Sequence, residues 1–146
     1  MRSTLVTAVV LAVAVVYLPS EAAQRRGGMR GQEPRYDTST EVTVHGAVQE
    51  VKQVAGGMGM GNVTGTHVVL KTDQETIEIH LGPSTFIAEQ KLVLQNGDAV
   101  QVIGSRVTIA GAGGILAREI RKGEQTVTLR DAQGLPAWSR GPRGGR

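Results

Sequence analysis

From Glu41 to Arg130 apolar residues recur at every second position and almost nowhere at helical spacing. Such a pattern builds strands with one buried face. EVTVHGAVQEVKQV (41–54) alternates through Val42, Val44 and Val48, and Gly46 marks an expected bulge or bend. VTGTHVVLKT (63–72) and ETIEIHL (75–81) flank Asp73-Gln74, the spacing of a tight two-residue hairpin. DAVQVIGSRVTIA (98–110) reads as a fourth strand kinked at Gly104, GAGG (111–114) as a turn, and ILAREIRK (115–122) and TVTLR (126–130) as two more strands.

The third strand does not pass into the fourth by a hairpin. Pro83 has no N–H for a ladder, so pairing is expected to end there. Ser84 or Thr85 is placed to cap a short helix over FIAEQKL (86–92), with Phe86, the sole aromatic between Glu41 and Asp131, packed beneath it. Asn96-Gly97-Asp98 turns the chain into strand four. The expected fold class is all-β with one short helix. A long bent first strand, with a helix between strands three and four, describes a small five- to six-stranded barrel of the OB (oligonucleotide/oligosaccharide-binding) type; the competing architecture is an open sandwich or roll.

Outside this region the composition changes. Residues 1–22 carry Arg2, an apolar run from Leu5 to Leu18, Pro19 and small residues at Ser20 and Ala22, the layout of a secretory signal peptide cut after Ala22 or Ala23. The run is shorter than the ~20 residues of a membrane span, so no stable span is expected after cleavage; an uncleaved anchor is the alternative. The expected localisation is periplasmic or secreted. Residues 23–40 read as a disordered Arg/Gly-rich linker, 41–131 as the folded domain, and 132–146 as a tail holding Trp138 and a second Arg/Gly-rich end. With no cysteine, disulfides, thiolate metal sites and covalent haem are excluded.

Charge placement limits the partners. Residues 41–131 hold eight Lys/Arg against ten Asp/Glu, so the basic excess of the whole chain, +3, belongs to its ends. A net acidic domain with a single aromatic offers neither a basic groove nor stacking platforms, which makes nucleic acid an unlikely partner. The arginine tails suit weak contacts with polyanions.

LGPSTF (81–86), NGDAVQVIGSRV (96–107), ILAREIRKG (115–123) and TLRDAQGLPAW (128–138) resemble small exported bacterial OB-fold-like domains of unknown function, including the C-terminal domain of magnetosome MamS/MamX-type proteins and, more distantly, the bacterial OB-fold (BOF) family. These turn and strand motifs specify a fold more than a chemistry. The resemblance implies a periplasmic, non-enzymatic domain of loosely defined role; it carries no ligand residues across and does not imply a magnetosome role.

Candidate site residues come from the hairpin. If Asp73-Gln74 is its tip, Leu70 faces Ile77 and Val68 faces Ile79 on one side, and His67 faces His80 on the other, solvent-facing side. Glu78 shares that face, and His45 is outward on a neighbouring strand. Two opposed imidazoles are able to share copper or zinc, given a third ligand from His45, Glu50 or a methionine; the competing reading is ordinary polar surface. Met58 and Met60, in GMGMG (57–61), add soft thioethers suited to Cu(I), against the reading of a glycine loop with apolar tips. Trp138 is either a latch folded onto the barrel or a contact for a partner. No nucleophile motif appears, so the expectation is a non-enzymatic module binding an envelope protein, small ligand or ion on the outer face of strands two and three, with metal binding and tail-driven polyanion binding as the alternatives.

Overall fold

The computed structural model describes residues 34–55, 63–109 and 111–139. The strands are β1 (Glu41–Ala55), β2 (Thr64–Lys71), β3 (Thr76–Pro83), β4 (Ala99–Ile109), β5 (Ala112–Lys122) and β6 (Gln125–Thr128). One short helix, α1 (Ser84–Glu89), lies between β3 and β4. The fold is all-β, as the period-two pattern requires. The sheet order is β3-β2-β1-β4-β5-β6, and a parallel pairing of β3 with β5 joins its distant members, so five strands close a ring and β6 extends from it. No described helix is long and apolar enough to cross a membrane.

β1 is shared between two neighbours. Its first half pairs with β4, its second with β2, and Ala47 pairs with both Ala99 and Lys71. Gly46 sits at this hand-over, where a Cβ would lie 2.3 Å from the Lys71 carbonyl oxygen. The ladder irregularity itself falls between Val48 and Glu50. At Gly104 the expected kink coincides with a register shift between Ile103 and Gly104, and a Cβ there would lie 2.3 Å from the Leu116 carbonyl oxygen. Both glycines permit a backbone approach that no other residue allows.

The ring interior is filled by inward positions from every strand of it: Val48, Val68, Leu70, Ile77, Ile79, Leu81, Val100, Val102, Ile115 and Ile120, joined by Ile87, Leu92, Val127 and Leu129. α1 plugs this core with Ile87, not with Phe86, which is half-buried at its margin. The helix starts earlier than the sequence predicts and carries no side-chain cap. Ser84 Oγ instead meets Thr66 Oγ1 at 2.9 Å and donates to Gln53 Oε1, joining β1, β2 and α1. Lys91, at φ 54°, ends the segment.

Two other expectations are corrected. Gly113 and Gly114 belong to β5, not to a turn; the glycines read as turn residues, but Gly114 is the strand position where β5 meets Glu78 of β3. Order also extends past 41–131 at both ends. Residues 38–40 form a 3-10 turn capped by the Asp37 carboxylate, and residues 129–139 fold back through an Arg130–Pro136 bridge and a second 3-10 turn at Ala137–Ser139. Tyr36 lies against Gly134, so these two segments hold one another. Residues 1–33, which contain the signal-peptide reading, and 140–146 lie outside the described residues.

Candidate functional site

The hairpin register is the one the apolar pattern predicts: Leu70 opposite Ile77, Val68 opposite Ile79, His67 opposite His80. The ladder then slips between Thr66 and His67, so the pairing shifts only beyond the histidines. The two rings meet with centroids 4.0 Å apart and planes inclined by 55°. They are not solvent-facing as expected: His67 is 7% exposed and His80 8%.

Three features surround the pair. The imidazoles bury one another. Gly114 of β5 leaves room for the His80 ring, since a Cβ there would sit 3.3 Å from His80 Nε2. Beyond His80 on β3, Trp138 lies over Gly82, and the buried Arg130 guanidinium stacks 4.8 Å from the centre of the Trp138 ring. Trp138 also meets Phe86 at 5.4 Å, so it packs as a latch on the core.

Glu78 completes the cluster. Its Oε1 accepts a hydrogen bond from His67 Nδ1 at 2.7 Å and lies 3.9 Å from His80 Nε2, and Lys52 Nζ approaches Oε2 at 3.4 Å. One ligating atom from each of His67, Glu78 and His80 falls within 4.8 Å of the others. Partial burial pushes the Glu78 carboxyl up, but the His67 hydrogen bond and the charges of Lys52 and the histidines outweigh it, so the group stays below its ordinary range. At His80, burial is the largest influence; with His67 and Arg130 it overcomes the opposite pull of Glu78 and lowers the pKa to about 4. A neutral imidazole keeps its lone pair for a ligand, and carboxylate-plus-imidazole is a donor set suited to zinc or copper(II). The residues present therefore fit such an ion.

The other candidates fall elsewhere. His45 is exposed, pairs with Gln101, and lines a shallow groove with Asp73 and Arg121. Glu50 is exposed and opposes Val69. The β1 residue opposite His67 is Lys52, which sequence reasoning missed because the irregularity at Val48–Glu50 shifts the β1–β2 register unpredictably. Arg130 was missed because its approach to the site depends on the fold-back of residues 129–139. Met58 and Met60 lie outside the described residues.

A six-stranded all-β domain with a five-strand ring and a half-buried His-Glu-His cluster on its outer face is the class that fold and site define. Residues 40–127 match the model of the MamS/MamX magnetosome protein family, and the chain belongs to that family. No curated protein matches the chain.

Proposed function

We propose that this protein is an exported, non-enzymatic OB-type binding module whose ligand is a zinc-like or copper(II)-like ion held by His67, Glu78 and His80, acting in the magnetosome setting from which its family takes its name. The OB assignment draws support from the ring order, the β1 hand-over and the helix between β3 and β4. Export draws support from the apolar run after Arg2.

One observation carries the ligand reading: three side chains of metal-ligating type converge on one point, and two of them are almost fully withdrawn from water. Burying two imidazoles beside a carboxylate is costly for surface decoration, while a bound ion repays it by taking a lone pair from each of the three groups. Zinc added to the purified chain is expected to bind at one equivalent and to shift the ring signals of His67 and His80 together in NMR spectra. His67→Ala and His80→Ala should each weaken binding at least about tenfold. Ring signals that ignore equimolar zinc, with no heat of binding for zinc or copper(II), would rule the reading out.

A further inference from the structure

The same cluster contains a group that a site built to retain a metal would avoid. Lys52 Nζ sits 3.4 Å from Glu78 Oε2, on the only carboxylate of the set. It stands there by construction, because β1–β2 pairing places Lys52 directly opposite His67. Both Lys52 and Glu78 are about one-third exposed, so the ammonium occupies the open side of a site whose other walls are the two buried imidazoles. Glu78 balances Lys52, so within the His67-Glu78-His80 cluster the one carboxylate is already matched by an ammonium before any divalent ion arrives.

We propose that Lys52 is a resident cation that an incoming metal must displace from Glu78, which makes this an exchange site that loads and releases its ion rather than one that stores it. The inference rests on the metal reading above and deepens it. In the metal-free protein the ammonium satisfies the carboxylate and keeps Glu78 in place. On loading, the ion takes the carboxylate and the lysine swings into water on its flexible stem, remaining near enough to repel the ion and compete for Glu78. The site therefore gives up affinity for ready release.

The test compares zinc binding by the full chain, Lys52→Met and Lys52→Arg, using calorimetry and stopped-flow release to a chelator. Lys52→Met keeps the stem and removes the charge; it should bind on the order of tenfold tighter and release zinc correspondingly more slowly. Lys52→Arg retains the charge and should stay close to the parent. Raising the salt concentration should narrow the gap between Lys52→Met and the parent, since salt screens a repulsion and leaves lost packing unchanged. A folded Lys52→Met that binds zinc no tighter than the parent overturns the competitor role while leaving the metal reading standing. Failure of both proteins to bind overturns the metal reading and this inference with it. Binding by Lys52→Met alone supports both.

Discussion

His80 gives the cluster a pH signature. Its pKa is 6.5 in an unfolded chain and about 4 in the fold, so the folded state disfavours the protonated ring. The stability this contributes is fully present above pH 6.5, declines as pH falls through the interval, and is gone below about 4; the difference amounts to about 3 kcal/mol. Thermal denaturation between pH 7 and 4 should show this loss, and His80→Gln should flatten the profile across that range. An equally steep profile in the variant would place the titration elsewhere. The hairpin register was legible because a tip at Asp73-Gln74 fixes the pairing, and that pairing puts Val68, Leu70, Ile77 and Ile79 on a common side. The burial of the histidines was not, because Gly114, which leaves room for the His80 ring, reads as a turn residue.

Among the elements, the strands were legible and their contacts less so. The glycines at 46 and 104 announced departures from regular strand, yet only the structure shows that each faces a carbonyl oxygen of a neighbouring strand. Gly104→Ala should therefore cost about 3 kcal/mol, seen as a lowered denaturant midpoint with unchanged slope, because backbone must shift on both strands. Gly97→Ala is the comparison: nothing lies within 4 Å of its Cβ position, although its φ of 92° still strains alanine, so its smaller loss measures conformation without collision. The helix was found at the right place with the wrong anchor, since Ser84 joins β1 and β2 instead of capping. No local signal separates these two uses of one hydroxyl.

For the molecule as a whole, the ring is closed by strands but fastened by its ends. Leu129 is fully buried in the core, Trp138 lies on Gly82, and Tyr36 meets Gly134 while donating to Glu41, whose carboxylate is gripped by Arg118 through two hydrogen bonds of 2.9 Å. The family match ends at residue 127, before this fastening begins. A chain cut after Thr128 should lose at least about 3 kcal/mol and melt well below the full chain, whereas a cut after Ser139 should leave the midpoint nearly unchanged. Equal melting of the two truncations would show that residues 129–139 contribute nothing to the ring.

Only three residue pairs join β3 to β5: Glu78 with Gly114, Ile79 with Ile115 and His80 with Leu116. These three pairs make the shortest ladder of the ring, so this line is expected to be the first to part when the ring opens locally. Two of the three β3 residues on that line are Glu78 and His80 themselves. Under the proposed reading, an ion held by them is a clasp on the seam: loading would slow hydrogen exchange along β3 and β5 more than along the β4–β5 ladder, and discharge would return the seam to its ordinary rate of opening.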